Sequence, residues 1–284
     1  MSRVWPCTDV IKDVHIAPDG SCATARTDFY LQGGRHHVHS TTILIAVDLL
    51  MAKLLEPGER LPDIQQLQHR NVSNCNLILT IATSGGRISR VGAPGVRASL
   101  CTSHGRTFFV EGAVCDDRVR RRRQPPSIFR EVMNGMHLEE ARGDVHRTTL
   151  DALGCSRASC RDPILTRYAI VEFVLEGTRQ RILERFGDIA GYALVVSGWN
   201  DFVWPSWTDV AMGCVLEYRL SEGALSSGVR LVHCDFAFPS HQGSGRLTIA
   251  RIPAAKMVAL QPSRPYADRP NGVHGAGSDP SVVD

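Results

Sequence analysis

An amphipathic stretch runs from Pro163 to Gly187, PILTRYAIVEFVLEGTRQRILERFG. Its apolar side chains recur at the spacing of one buried helical face, at Ile164, Tyr168, Val171, Leu175, Ile182 and Phe186. The proline at its start and the glycine at its end are typical helix boundaries. The pattern therefore predicts a helix about 37 Å long. Glu176 and Arg179 lie three residues apart at its centre, on one face.

A second helical pattern covers residues 39–55, HSTTILIAVDLLMAKLL. Ser40 is a suitable N-cap residue, and Pro57-Gly58 ends the pattern. Asp48 is the carboxylate within this helix, and Glu176 follows it after 128 residues. The polar residues 57–74 that follow are typical of a loop.

Short β-prone runs separated by glycine and proline turns fill much of the remaining chain. Before and after the first helix they cover residues 14–31, 75–82, 96–102 and 107–114, and after the second helix 199–204, 214–220, 228–238 and 245–252. Residues 128–160 mix helical and extended signals, so the sequence predicts no firm structure there.

The order of elements is repeated along the chain, with one helix and then three or four strands in each half. One helix followed by a sheet long enough to wrap around it predicts an α+β fold of two tandem hotdog units, a pseudo-dimeric double hotdog. We expect the first unit at 1–117, a basic linker at 118–126 and the second unit at 127–260. The residues 261–284 lack apolar periodicity, which predicts a disordered tail.

Composition narrows the class of protein further. The 284-residue chain is 43% hydrophobic with a formal net charge of +3, which is typical of a globular protein and gives no indication of nucleic-acid binding. We expect no membrane span and no secretory signal, and therefore a cytoplasmic protein. Nine cysteines without a paired framework are expected to be free thiols.

The segment from Val174 to Gln180, VLEGTRQ, resembles the leucine-glutamate-alanine-x-arginine-glutamine signature of the A-factor biosynthesis hotdog family. Members of that family are double-hotdog enzymes of γ-butyrolactone signal synthesis. The first helix of this chain has Asp48 followed three residues later by Met51, so it lacks the arginine of the signature.

This resemblance implies an acyltransferase that condenses a β-ketoacyl thioester with dihydroxyacetone phosphate or a similar hydroxyl acceptor. Its partners would be acyl carrier protein or acyl-CoA and a small phosphorylated acceptor, without a cofactor or a metal. Glu176 would be the general base, and Arg179 would bind the phosphate, because a guanidinium group matches phosphate bidentately. Gln180, the last residue of the signature, would contact the substrate.

Two alternatives remain open. His39 followed by Asp48 resembles the histidine-glycine-glycine…aspartate pattern of hotdog acyl-CoA thioesterases, with Ser40 and Thr41 in place of the glycines. That resemblance implies that Asp48 activates water and that His39 orients the thioester carbonyl. The other alternative is a double hotdog that binds an acyl ligand without catalysis.

Two further groups that contain histidine are candidate reactive sites. His36, His37 and His39 are close in sequence, but no cysteine or carboxylate lies beside them at ligand spacing, which argues against a metal site. His233 and Cys234 are neighbours in a predicted strand. Their side chains should point to opposite faces, which excludes a nucleophile–base pair.

Overall fold

The computed structural model describes residues 9–32, 38–69, 75–84, 94–122, 132–152, 163–187, 191–205, 210, 212–224 and 229–256. All structural statements below concern these residues. The tail predicted at 261–284 lies outside them.

Two helices form the centre of the fold, α1 (Ser40–Met51) and α2 (Pro163–Phe186). Both agree with the sequence prediction to within a few residues. Every residue of α1 except Leu49 is buried, and α2 is buried continuously from Thr166 to Thr178. Helices covered on all sides form the interior of a domain.

The start of α1 differs from the prediction. His39 is the N-cap residue, and it makes no side-chain capping hydrogen bond. Ser40 already has helical conformation, and its hydroxyl contacts Trp199 and His69 instead. The predicted capping role of Ser40 is therefore wrong, because its hydroxyl is used for tertiary contacts.

Fourteen strands surround the helices in the described residues. They are β1 (Ile11–Ile16), β2 (Cys22–Thr27), β3 (Tyr30–Gln32), β4 (Asp63–His69), β5 (Cys75–Thr83), β6 (Pro94–Cys101), β7 (Thr107–Arg118), β8 (Arg120–Arg122), β9 (Met136–Leu138), β10 (Val145–Leu150), β11 (Tyr192–Val203), β12 (Cys214–Ala224), β13 (Arg230–Phe238) and β14 (Gly243–Pro253).

Twelve of these strands form one sheet in the order β1-β2-β5-β7-β6-β4-β11-β14-β13-β12-β10-β9. The first six belong to the N-terminal half of the chain and the last six to the C-terminal half. All pairs in the sheet are antiparallel. Each half contributes one long helix and one half-sheet, so the chain folds as a double hotdog, as the sequence predicted.

The two units meet where β4 pairs with β11. Leu67 lies opposite Trp199 and Ile64 opposite Phe202, and all four side chains are buried. Gly198 lies opposite Gln68, and a Cβ atom at Gly198 would come within 2.7 Å of the Leu67 carbonyl oxygen. Glycine is therefore required for the close approach of the two backbones.

Strand β4 corrects the prediction of a loop over residues 57–74. A bulge between Ile64 and Gln66 shifts the register of β4 against β6. Because of that shift, Ile64 and Leu67 both point inwards although they are three residues apart, and the alternation that indicates a strand is lost.

The predicted linker also contains regular structure. Arg118 ends β7, and β8 pairs in parallel with β3 in a separate two-stranded sheet. Residues 128–160, for which nothing was predicted, include β9 and β10. The two units also differ in strand order. In the second unit, β12, β13 and β14 lie side by side in the sheet in the order of the sequence, whereas in the first unit β5 pairs with β7 rather than with β6.

One continuous hydrophobic core joins the two helices to the inner faces of both half-sheets. Trp199, Phe202 and Phe236 form its aromatic centre at the boundary between the units, with ring centroids 5.2–6.2 Å apart. Of the helices that the structure describes, none combines the length and apolar character needed to cross a membrane.

Candidate active site at the helix interface

The two central helices contact each other through polar side chains at two points. His39, at the start of α1, approaches Glu172 in the middle of α2, and Asp48, near the end of α1, approaches Arg167 near the start of α2. The earlier residue of α1 contacts the later residue of α2, and the later residue of α1 contacts the earlier one. The two helices therefore run antiparallel. The two contacts form two half-sites, one at each end of the helix pair, and both combine side chains of the two units.

The first half-site contains a histidine–carboxylate pair. His39 Nδ1 lies 3.4 Å from Glu172 Oε1 and 2.6 Å from Thr41 Oγ1. The side chains are 15% and 2% exposed for His39 and Glu172, respectively. The His39–Glu172 contact is an ion pair when the imidazole is protonated, whereas the hydrogen bond of Nδ1 is made with Thr41 Oγ1. Nδ1 of the ring therefore faces both the Thr41 hydroxyl and the Glu172 carboxylate.

Ser40 adds a second polar contact beside this pair. Its Oγ lies 2.9 Å from Nε2 of His69, the last residue of β4. Trp199 Nε1 donates a hydrogen bond of 3.3 Å to the same oxygen from β11. Ser40 is therefore held at the boundary between the two units, in the first turn of α1.

Glu176 lies one helical turn beyond Glu172 on the same face of α2. Its carboxylate accepts two hydrogen bonds from Arg179, from Nε at 2.9 Å and from Nη2 at 2.7 Å, and a third from Gln180 Nε2 at 3.3 Å. The Glu176 side chain is 6% exposed, whereas that of Arg179 is 46% exposed. Hydrogen bonding to Glu176 raises the pKa of Arg179. The planar donor edge of Arg179 is thus engaged by Glu176.

The second half-site is a buried ion pair. Arg167 Nη1 donates to Asp48 Oδ1 at 3.1 Å, while Arg167 Nη2 donates to the carbonyl oxygens of Leu61 and Pro62. The Arg167 guanidinium carbon lies 4.2 Å from the ring centroid of Trp204. Burial raises the pKa of Asp48, and the charge and hydrogen bond of Arg167 oppose that rise.

Little space remains beside Asp48. The adjoining cavity has a volume of about 10 Å³, which is room for about one water molecule. A larger groove of about 970 Å³ opens at this end of the helix pair, between the end of α1 and the start of α2. Arg167 and Trp204 line both spaces, whereas Asp48 lines only the small one.

The internal repeat relates the basic residues of the two half-sites. The offset of 128 residues that aligns Asp48 with Glu176 also aligns His39 with Arg167, whereas Glu172 aligns with Leu44. By this offset, an arginine in a salt bridge takes the place of the histidine, and the carboxylates come from different positions of the repeat. The guanidinium group keeps its proton at all ordinary pH values, so it cannot act as a base.

The structure brings four of the five predicted site residues to one end of the helix pair: His39 contacts Glu172, and Glu176, Arg179 and Gln180 follow on α2. Asp48 lies at the other end. Sequence reasoning missed Glu172 and Arg167, although two charged residues inside the otherwise apolar run 167–175 were a visible signal. It also missed Ser40 and His69, whose contact depends on the bulged strand β4.

The side chains of His233 and Cys234 have hydrogen-bond partners in the protein, which indicates structural roles. His233 Nδ1 contacts Thr248, while Cys234 Sγ contacts Thr178 on the opposite face of β13, as predicted. Burial raises the pKa of Cys234 to about 12, which makes its thiol unreactive. Six described cysteines are free thiols, in agreement with the prediction. His36 and His37 lie outside the described residues, within which no metal-binding cluster is present.

No protein-family model and no curated protein matches this sequence. Among solved structures, the tesB protein MAP1729c of Mycobacterium avium subsp. paratuberculosis is similar with a TM-score of 0.46 and 11% identity, over 86% of this chain and 96% of that one. The bifunctional dehydratase-cyclase domain of ambruticin biosynthesis is similar with a TM-score of 0.46 and 12% identity, over 88% of this chain and 96% of that one. The dehydratase domain of the CurJ module of curacin polyketide synthase is similar with a TM-score of 0.47 and 7% identity, over 90% of this chain and 99% of that one.

The strand order and the two central helices, rather than these distant similarities, define the fold. The class of protein is therefore a double hotdog with one histidine–carboxylate half-site and one arginine–carboxylate half-site.

Proposed function

We propose that this protein is an enzyme that hydrolyses an acyl thioester, carried on CoA or on acyl carrier protein, at its first half-site. The observation that carries the proposal is the contact between His39 Nδ1 and Glu172 Oε1 across the two units. A histidine held by a carboxylate at one ring nitrogen can accept a proton at the other. The first turn of α1 supplies backbone N–H groups that have no partner within the helix.

The reaction follows from these two features. With Nδ1 protonated and donating to Thr41 Oγ1 beside the Glu172 carboxylate, the Nε2 atom of His39 is available as the general base. The N–H groups and positive potential at the start of α1 favour the negative charge that develops on a thioester carbonyl oxygen during attack. Glu172 stabilises the imidazolium ion that forms, because the buried carboxylate lies beside it.

The predicted thioesterase role of Asp48 is less well supported. Its carboxylate is bound to Arg167, and the space beside it holds about one water molecule and no acyl chain. Removing Asp48 would also leave the Arg167 charge buried without its partner. We therefore assign hydrolysis to His39 and Glu172, and a structural role to Asp48.

Condensation with a phosphorylated acceptor, the reaction implied by the A-factor family resemblance, is the second candidate. The half-exposed Arg179 favours it, since part of its guanidinium group is accessible from solvent. However, Nε and Nη2 of Arg179 already bind Glu176, and Glu176 accepts three hydrogen bonds. A phosphate would have to displace the carboxylate before Arg179 could bind it bidentately.

Thiol release from octanoyl-CoA tests the proposal. Wild-type protein should release CoA, and Glu172→Gln should lower the rate by about 10²- to 10⁴-fold, since the base loses its orienting charge. Glu184→Gln, on an exposed position of the same helix, is the matched control and should retain the wild-type rate. A folded Glu172→Gln protein that hydrolyses octanoyl-CoA at the wild-type rate would contradict the proposal.

The same assay separates the two candidate functions. β-Ketooctanoyl-CoA is supplied with and without dihydroxyacetone phosphate, and the products are identified by mass spectrometry. Free β-ketoacid in both reactions indicates hydrolysis. A phosphorylated ester that forms only with the acceptor indicates condensation, and its loss in Arg179→Lys would assign acceptor binding to that residue.

A further inference from the structure

Ser40 and His69 form a pair that the hydrolytic scheme above does not use. A hydroxyl oxygen 2.9 Å from an imidazole nitrogen is the arrangement of a serine nucleophile and its base. The hydroxyl lies in the first turn of α1, where the positive end of the helix lowers the cost of a developing alkoxide. Ser40 is adjacent in sequence to His39, so both groups lie at the same helix end.

Two strands supply the partners of Ser40. The Trp199 indole N–H can only donate, so Ser40 Oγ is the acceptor in that contact, which leaves the Ser40 hydroxyl proton for another partner. In the His69 tautomer that carries its proton on Nδ1, the Nε2 atom accepts the Ser40 hydroxyl proton. This is the tautomer that a nucleophilic serine requires.

Burial agrees with a specific role for this group. Ser40 is 6% exposed and is the first helical residue, one position after the N-cap residue His39. Its hydroxyl makes no capping bond and is turned towards the boundary between the units instead. His69 approaches this hydroxyl from β4 and Trp199 approaches it from β11.

We propose that Ser40 is a covalent nucleophile, so that hydrolysis passes through an acyl-serine intermediate. This inference rests on the proposed function, to which it adds a covalent step. Ser40 Oγ attacks the thioester carbonyl carbon while His69 Nε2 takes the hydroxyl proton. The carbon–sulfur bond then breaks, and the departing thiolate receives that proton from His69.

The second half of the reaction regenerates the enzyme. Water attacks the ester carbonyl, and His39 Nε2 takes its proton, with Glu172 holding the ring. The bond to Ser40 Oγ breaks, the serine oxygen takes the proton that His39 held, and the carboxylic acid leaves with the other hydrogen of the water. The sum is acyl thioester and water giving carboxylic acid and thiol, without an oxidant or a further reactant.

Trapping the acyl group tests this proposal. Wild-type, His39→Ala and Ser40→Ala proteins are mixed with octanoyl-CoA, quenched in acid during the first turnover and measured by intact-mass spectrometry and peptide mapping. His39→Ala should accumulate one octanoyl group on Ser40, because water activation is lost while acylation continues. Stability of the adduct to neutral hydroxylamine distinguishes a serine ester from a cysteine thioester.

The steady-state rate of Ser40→Ala and two further variants exclude a merely structural role. Ser40→Ala should lower steady-state thiol release on the order of 10³-fold or more. Ser40→Cys retains a nucleophile and should form a hydroxylamine-sensitive adduct. Ser197→Ala, which removes a partly buried hydroxyl that donates to the Thr248 carbonyl, is the matched control and should hydrolyse octanoyl-CoA normally.

The outcomes are distinguishable. An octanoyl adduct on Ser40 together with an inactive, folded Ser40→Ala protein supports the inference. Hydrolysis of octanoyl-CoA with no adduct in His39→Ala and normal turnover in Ser40→Ala overturns it and leaves direct attack by water. Absence of both hydrolysis and acylation in wild-type protein overturns the proposed function and the nucleophile together.

Discussion

Glu172 and Glu176 lie on one face of α2 and have different partners, which decides what each carboxylate can do. Glu176 accepts all its hydrogen bonds from its own helix, from Arg179 and Gln180. Glu172 instead faces His39 of the other unit. A carboxylate that orients an imidazole contributes to proton transfer, whereas one saturated by an adjacent arginine mainly offsets its own burial.

Gly177 follows Glu176 on α2 and offers a test of local stability. A Cβ atom there would lie 3.4–3.7 Å from Thr148, at ordinary contact distance. Gly177→Ala should therefore raise the free energy of unfolding by roughly 0.5–1 kcal/mol, because alanine restricts the unfolded chain and favours helix. Thermal unfolding measures the effect, which corresponds to a rise in Tm of about 2 °C.

Gly198→Ala provides the contrasting variant. Its Cβ would meet the Leu67 carbonyl oxygen at 2.7 Å, so the pairing of β4 with β11 would have to move. We expect a loss of about 1–3 kcal/mol in stability. Equal Tm values for Gly177→Ala and Gly198→Ala would contradict the difference in space around the two glycines, sufficient for a Cβ atom at Gly177 and closed by the Leu67 carbonyl at Gly198.

At the scale of elements, the ion pair between Asp48 and Arg167 fixes α1 against α2. Asp48→Asn or Arg167→Met alone should each cost about 3–5 kcal/mol, since either leaves a buried polar group without its charged partner. The double variant should cost clearly less than the sum of the single ones. Urea unfolding of all four proteins measures this coupling, and strictly additive losses would show that the two side chains do not interact.

The sequence predicted those elements that bury one continuous apolar face. The stripe from Ile164 to Phe186 led directly to α2, and alternating runs led to β12, β13 and β14. Prediction failed at β4, where the bulge after Ile64 hides the strand period, and at the start of α1, where Ser40 contacts the other unit instead of capping the helix.

The site was predictable only in part, because most of its contacts depend on tertiary structure rather than on a local sequence pattern. The signature around Glu176 and Arg179 is local, so the sequence alone placed it on the second helix. The contacts of His39 with Glu172 and of Ser40 with His69 join residues far apart in the chain. No local pattern encodes them, because they depend on the antiparallel crossing of α1 and α2 and on the register of β4.

At the scale of the whole molecule, the two units are similar in layout and different in chemistry. Each supplies one helix to a shared interface, which creates two half-sites. His39 occupies one of them, and Arg167 takes the equivalent position in the other, where it is bound to Asp48 and stacked on Trp204. In the proposed function, one end of the helix pair carries out proton transfer, while the Asp48–Arg167 ion pair joins the two units at the other end.

A direct comparison of the half-sites tests this central claim. Octanoyl-CoA hydrolysis is measured for His39→Gln and for Arg167→Met, well below their unfolding midpoints, with each rate expressed per folded molecule. The account predicts that His39→Gln loses about 10²- to 10⁴-fold in rate. Arg167→Met should be less stable but should keep nearly the wild-type rate. An inactive Arg167→Met protein beside a fully active His39→Gln protein would contradict the account and assign the chemistry to the other end of the helices.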